Sequence, residues 1–142
     1  MKIAIGCDHG GYLLKVEVVK HLKEKGCEVT DFGCDSTDSV DYPEYSRSVA
    51  RAVVNGDADK GIVICTTGIG VSIVANKVKG IRAALCSETT SARLTRMHND
   101  ANVLALGGGI ISTYLALDIV DTFLTTEFCG EEKHARRIAN IE

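Results

Sequence analysis

The stretch Gly61-Ile62-Val63-Ile64-Cys65-Thr66-Thr67-Gly68-Ile69-Gly70-Val71-Ser72 decides how this chain is read. It opens as a continuous apolar, β-branched run with no in-and-out alternation. That is the pattern of a parallel strand covered on both faces. The run ends on a cysteine and two threonines, and a glycine-rich turn then leads into a helical pattern. Such a turn presents free backbone N–H groups to an anion at a helix start. It is not a Walker loop, because no Gly-Lys-Ser/Thr follows. It is a poor dinucleotide fingerprint as well: it follows the third strand, and Ile73 stands where the third glycine belongs.

The same alternation runs outward in both directions. Strand-like runs are Lys2–Cys7, Glu28–Phe32, Gly61–Cys65, Arg82–Cys86 and Asn102–Leu106. Helical patterns lie between them. In the first, Leu14, Val18 and Leu22 share one face while Lys15, Lys23 and Glu24 lie elsewhere. This helix stops before Gly26, a C-terminal glycine. The second runs from Pro43 to about Val54, with the chain's only proline at its start, where a missing N–H does no harm. The third follows Gly70, the fourth covers about Glu88 to Met97, and the fifth covers about Thr113 to Leu124. A last polar helix covers about Glu131 to Ile141. This order predicts an α/β fold: a doubly wound, Rossmann-like, five-stranded parallel sheet in an α/β/α sandwich with a C-terminal helix.

The chain has 142 residues, which predicts a single domain over residues 1–142. With 45% hydrophobic residues and a net charge of −3, it is too apolar and too nearly neutral for a disordered chain. The slight negative charge argues against nucleic acid as a partner, since such proteins carry a basic patch. No apolar run approaches the ~20 residues of a membrane span, so no membrane partner is expected. The start Met-Lys-Ile-Ala-Ile-Gly reads as a strand and not as a signal peptide. Six cysteines, at 7, 27, 34, 65, 86 and 129, include no Cys-x-x-Cys pair and have no paired histidines nearby. No metal site is therefore expected, and the cysteines read as free thiols of a reducing cytoplasm.

In a doubly wound sheet, ligands bind beyond the C-terminal ends of the strands. After the first strand stands Cys7-Asp8-His9-Gly10-Gly11. This is a polar spot that a ligand can approach closely, although Asp8 is also a good helix cap. Cys65 lies beside a helix N-terminus, where the positive end of the dipole favours a thiolate, which makes it the best nucleophile or base of the six. The bland alternative is a small buried side chain. His98 precedes the fifth strand among Asn99 and Asp100, and histidine exchanges protons near neutral pH. The tail carries Lys133, His134, Arg136 and Arg137. This cluster reads either as a solvated face or as a phosphate clamp, with Lys133 and Arg137 four apart on one side of a helix.

Taken together, the motifs resemble the type B ribose-5-phosphate isomerase family, which also contains the subunits of galactose-6-phosphate isomerase. The resemblance covers essentially the whole chain. It rests on Gly6-Cys7-Asp8-His9-Gly10-Gly11, Asp41-Tyr42-Pro43, Cys65 through Ser72, and Ala75-Asn76-Lys77 with Gly80-Ile81-Arg82-Ala83. It rests also on His98-Asn99-Asp100-Ala101-Asn102-Val103 and the closing His134-x-x-Arg137. It implies a metal-independent aldose–ketose isomerase, without cofactor, that interconverts ribose 5-phosphate and ribulose 5-phosphate through an enediolate. Such an enzyme is a homodimer or a dimer of dimers whose active sites are shared between subunits.

The resemblance also implies roles for individual residues. Cys65 takes the C2 proton, Thr67 assists it, and His98 opens the furanose ring. The backbone of Gly68, Ile69, Gly70, Val71 and Ser72 cradles the enediolate oxygen, with Asn99 nearby. Asp8 holds sugar hydroxyls and Tyr42 lines the pocket, while His9, Lys133 and Arg137 hold the phosphate. Three positions depart from the family pattern. Gly109 and Lys133 stand where arginines are common, and Thr66 stands where glycine is usual. The missing side chain at Gly109 leaves room for a six-carbon substrate such as allose 6-phosphate or galactose 6-phosphate. A non-catalytic sugar-phosphate-binding module is the reading from a different class.

Overall fold

The computed structural model describes residues 1–141. Five strands form one parallel sheet: β1 (Lys2–Cys7), β2 (Glu28–Asp31), β3 (Lys60–Cys65), β4 (Ala83–Leu85) and β5 (Val103–Gly107). Their order is β2-β1-β3-β5-β4. The helices are α1 (Tyr12–Glu24), α2 (Tyr42–Val54), α3 (Ile69–Ala75), α4 (Thr89–Leu94), α5 (Thr113–Thr125) and α6 (Glu132–Ala139). This is the expected doubly wound α/β/α arrangement.

The pleat sends alternate strand residues to opposite faces, and both faces are covered. On one side Ile3, Ile5, Ile62, Ile64, Leu104 and Leu106 meet Leu14, Val18 and Leu22 of α1, Ala92 of α4, and Ile119 and Phe123 of α5. On the other side the smaller Ala4, Val63, Val103 and Ala105 meet Val49 and Ala50 of α2 and Val71 and Ala75 of α3. Both sets are apolar, which is why the strands read as unbroken hydrophobic runs. The sheet order reverses between β1 and β3, the point at which doubly wound sheets bind ligands.

Most boundaries fall within two residues of expectation. The largest difference is in the fourth helix. It starts after Glu88, whose carboxylate accepts from the Ser91 amide as a cap, and it stops being α-helical at Leu94. Residues Thr95–Asn99 continue as a π-helical turn, and Asp100 beyond them takes a left-handed φ of 45°. A π turn changes the angular spacing of side chains, and such turns are frequent at functional sites. The last helix is shorter than expected, and β4 is trimmed to three residues because Arg82 bonds to Asn102 and Asp100 instead.

Lys15 corrects the sequence reading more sharply. The expectation placed it off the buried face of α1, yet it is only 2% exposed. Its ammonium donates to Asp31 Oδ1 at 2.8 Å and to the Cys34 carbonyl at 2.6 Å, and it lies 5.6 Å from the Tyr12 ring centroid. The long aliphatic stem crosses the apolar layer and the charge is matched at its end. The residue thereby ties α1 to the loop after β2.

Candidate active site

The loops after β1, β3 and β5 leave the same edge of the sheet and are stitched together through their backbones. Cys65 stands beside Gly107 in register, and Cys7 beside Ile64. The Asp8 amide donates to Ile64 O at 3.2 Å. The Gly108 and Gly109 amides donate to Cys65 O and Thr66 O, each at 2.8 Å.

In the first loop, Asp8 is buried and one of its oxygens is occupied. Its Oδ1 accepts from the Gly10 and Gly11 amides at 2.9 and 3.2 Å, capping the 3₁₀ turn His9–Gly11. The cap alternative raised by the sequence is therefore realised on that oxygen. His9 Nδ1 accepts from the Val40 amide at 3.2 Å. In the neutral ring the proton then sits on Nε2, leaving that nitrogen as a donor.

Thr66 fills the gap between the first and last of the three loops. A Cβ built on Gly10 would stand 2.0 Å from Thr66 Oγ1, and one on Gly109 would stand 2.8 Å from Thr66 Cγ2. Thr66 and Gly109 are thus in direct contact. A side chain at 109 competes for the space that the threonine methyl occupies.

The turn into α3 is built around Cys65. Its Sγ accepts from the Gly68 amide at 3.1 Å. Gly68 has φ of +78°, and a Cβ there would come within 2.5 Å of Leu85 Cδ1 and 2.8 Å of the Leu106 carbonyl carbon. Only glycine fits this corner. Thr67 Oγ1 accepts from the Ile69 amide at 3.2 Å, and the Ser72 amide donates to Gly68 O at 3.2 Å. Of the amides from Gly68 to Ser72, those of Gly68, Ile69 and Ser72 thus have acceptors within the chain. Those of Gly70 and Val71 are the two left without an acceptor among the described residues. The Ser72 hydroxyl turns back to Ile69 O at 2.7 Å.

Tyr42 lies directly over this turn, since a Cβ on Gly70 would meet its Cζ at 2.7 Å. Ser46, which the sequence reading overlooked, is fully buried and donates to Val71 O at 2.6 Å, pinning α3 to α2.

A second group stands apart, carried by the π turn and α6. The His98 ring stacks on that of His134 with centroids 4.3 Å apart and planes 10° from parallel. His134 was not among the expected site residues. Burial, reinforced by the charges of His98 and Lys133, holds its imidazole below the ordinary range. Lys133 pairs with Glu131 at 2.9 Å, and Arg137 extends from the exposed side of α6. Asn99 is exposed, and its carbonyl accepts from Arg82 Nε at 2.9 Å.

Two guanidinium groups brace this turn. Arg96 is only 5% exposed. It donates to Asp100 Oδ1 at 2.7 Å, Ala101 O at 2.6 Å and Thr126 O at 3.1 Å. Arg82 reaches Asp100 O from the other side at 2.9 Å. Arg82 stands in one of the motifs that carry the resemblance but had no role assigned there, and Arg96 has no sequence signal that separates it from an ordinary surface cation.

Among the described residues, no hydrogen bond, ion pair or ring contact joins the Cys65 group to the His98 group. A recess of about 240 Å³ lies on the Cys65 side and includes Thr67, Ile69 and Ile110 in its wall. Another of about 360 Å³ includes His98 and Asn99. Leu85 and Cys86, at the end of β4, line both.

The remaining thiols divide by burial. Desolvation pushes Cys7 up to about 12 and Cys86 up to about 11. These two behave as small core hydrophobes.

An anion-facing turn, a cysteine and an imidazole at the C-terminal edge of a doubly wound sheet define an α/β enzyme. The comparisons narrow the class: the chain matches the family described as ribose/galactose isomerase over residues 3–141. It is 51% identical to ribose-5-phosphate isomerase B of Escherichia coli over 140 residues, covering 99% of this chain and 93% of that one. It superposes on ribose-5-phosphate isomerase B of Clostridium thermocellum with a TM-score of 0.98 and 57% identity, covering 99% and 95% of the two chains. The Thermotoga maritima ribose 5-phosphate isomerase superposes with a TM-score of 0.96 and 51% identity, over 99% and 96%. The chain belongs to the ribose/galactose isomerase family and is an isomerase.

Proposed function

We propose that this chain interconverts ribose 5-phosphate and ribulose 5-phosphate through an enediolate, without a metal ion or cofactor. The observation that carries the reading is the Cys65 sulfur held by the Gly68 amide at the entrance of α3, with the Gly70 and Val71 amides open beside it. The 51% identity to a ribose-5-phosphate isomerase B supports the choice of substrate.

Aldose–ketose isomerisation moves a proton between C2 and C1. It needs a base, a proton carrier for the oxygens and donors for the developing oxyanion. Cys65 is the base. The Gly68 N–H faces the negative charge that the sulfur carries when it acts, and Thr67 orients the turn through Ile69. The open amides meet the enediolate oxygen, and a preorganised donor of this kind is worth ~3 kcal/mol in kcat. His98 opens the ring, Asn99 assists, and the second oxygen of Asp8 takes a sugar hydroxyl. Tyr42 closes the pocket wall. His9 through Nε2, together with Lys133 and Arg137, holds the phosphate, Lys133 exchanging Glu131 for it.

The separation of the two groups supports a pocket assembled from two subunits. Cys65, Asp8, His9 and Tyr42 come from one chain, and His98, Lys133 and Arg137 come from its partner. The protein is then a homodimer or a dimer of dimers, and its setting is the cytoplasm. The exposed apolar side chains Ile69, Ile73, Leu85 and Ile110, 41–62% exposed, lie near the Cys65 side and suit such an interface.

Conversion of ribose 5-phosphate by the purified protein in the presence of chelator, beside Cys65→Ala, tests the reaction. Turnover that vanishes in the variant is expected, and a variant as active as the parent defeats the assignment of the base. Mixing Cys65→Ala with His98→Asn chains tests the shared site. Mixed dimers recover one intact pocket if the reading holds, and recover nothing if both residues serve the same chain's pocket.

Gly109 favours a second reading, a six-carbon sugar phosphate, because no long side chain extends from that position beyond the Thr66 methyl. A preference for ribose 5-phosphate of more than about tenfold in kcat/KM sets that reading aside, since a factor of ten is only about 1.4 kcal/mol.

A further inference from the structure

Three metal-ligating side chains meet beside the His98–His134 stack. Cys129 Sγ, a Glu131 carboxylate oxygen and a His134 ring nitrogen all lie within 4.8 Å of one another. The spacing is Cys-x-Glu-x-x-His. It escapes a search for Cys-x-x-Cys pairs or paired histidines, which is why no metal site is expected from the sequence.

The backbone holds this set in place. The Cys129 amide donates to Met97 O at 3.2 Å, tying the segment to the π turn that carries His98. Glu131 is the N-cap residue of α6, and its carbonyl accepts from the His134 amide at 3.0 Å. Glu131 and His134 therefore stand on one turn. His134 is 9% exposed, and its ring nitrogens have no hydrogen-bond partner among the described residues. Among the described residues the one competing contact is the Lys133 ammonium on Glu131, and Lys133 is half exposed.

We propose that Cys129, Glu131 and His134 form an inhibitory site for a borderline-soft divalent cation, zinc first among them. A thiolate and an imidazole select zinc over magnesium or calcium, which prefer all-oxygen sites. Ligands around a tetrahedral zinc stand about 3.5 Å apart, so small side-chain rotations close the set. The Cys129 thiol releases its proton to solvent as the sulfur–metal bond forms. Three protein ligands leave one position for water or a substrate oxygen. The bound cation takes Glu131 from Lys133 and, with the thiol proton released, adds one net positive charge beside the His98 ring. The binding stands on the cluster alone, while the inhibition rests on the isomerase reading above.

The test uses the full-length protein, zinc and cobalt. Calorimetry of the chelator-treated protein should show one zinc site, at least about tenfold weaker in Cys129→Ser and in Glu131→Gln. Cobalt should give a thiolate charge-transfer band with the parent and none with Cys129→Ser. Isomerase activity should fall with added zinc in the parent and resist it in Cys129→Ser, whose activity without metal is unchanged. A cobalt–thiolate band that persists in Cys129→Ser, or zinc inhibition that persists in it, places the metal elsewhere and overturns the site. Absence of zinc binding overturns it as well. Calorimetry and the cobalt band need no substrate, so a failure of the isomerase reading is told apart from a failure of the metal site.

Discussion

The imidazole rings of His98 and His134 lie face to face, 4.3 Å apart, and the charge of one bears on the protonation of the other. Burial is the first cause of the low His134 value, and the cationic neighbours His98, Lys133 and Arg137 add to it, against Glu131. Because the folded value is depressed, the unfolded chain binds more protons as pH falls through the ordinary imidazole value of about 6.5. Stability should therefore decline below that pH. His134→Gln should remove part of the decline, measured as unfolding midpoints across pH 5 to 8. Nuclear magnetic resonance titration should place His134 below the ordinary histidine range.

Thiol reactivity should sort by chemistry rather than by number. Alkylation of Cys65 is expected to abolish turnover, with bound sugar phosphate protecting. Cys7 and Cys86, raised to about 12 and about 11, should resist modification at neutral pH until the protein unfolds. Peptide mapping after timed iodoacetamide treatment, with activity followed alongside, reads both. Full activity after proven modification of Cys65 would defeat its assignment as the base.

Arg96 is a positioning residue for the π turn. Its guanidinium satisfies Asp100 Oδ1, Ala101 O and Thr126 O at once. Arg96→Ala leaves these acceptors buried or half-buried without their donor and should cost about 3 kcal/mol in urea unfolding. Arg96→Lys keeps the charge but not the fork, so it should recover part of the stability. It should still lose kcat on ribose 5-phosphate through a displaced His98.

Thr66 and Gly109 should behave as a coupled pair. Gly109→Arg alone drives a Cβ to 2.8 Å from Thr66 Cγ2 and 3.1 Å from Thr66 O, and should destabilise the protein. Adding Thr66→Gly removes the methyl and should restore part of the loss. The interaction energy should be of the order of 1 kcal/mol, as for other residues in contact. The double variant should also bind ribose 5-phosphate with a lower KM, since an arginine fork would then reach the phosphate. Additive effects on stability would show that the loop yields without involving residue 66.

The order of β-strands and helices was legible because each element reports its own burial locally. Ile62, Val63 and Ile64 are apolar in succession because both faces of β3 are covered. Leu14, Val18 and Leu22 repeat by four because one side of α1 is buried. The end of the fourth helix was not legible, because its π turn depends on Arg82 reaching Asp100 from the residue before β4, and on Arg96, within the turn, reaching the distant Thr126 carbonyl. Lys15 was misread for the same reason: helical spacing describes a face, but not the distant Asp31 and Cys34 carbonyl that make burying a charge tolerable.

What the sequence determined by itself was the layered α/β class and the identity of the polar residues at the strand ends, since both follow from short-range pattern and turn chemistry. The tertiary structure alone decided the strand order, the narrowing of five loop amides to two, and the division of the site residues into two groups. It alone decided the contact of Thr66 with Gly109 and the meeting of Cys129, Glu131 and His134 beside His98. Those outcomes depend on how sheet and helices pack across long sequence separations, and on where each side chain finds its hydrogen-bond partner.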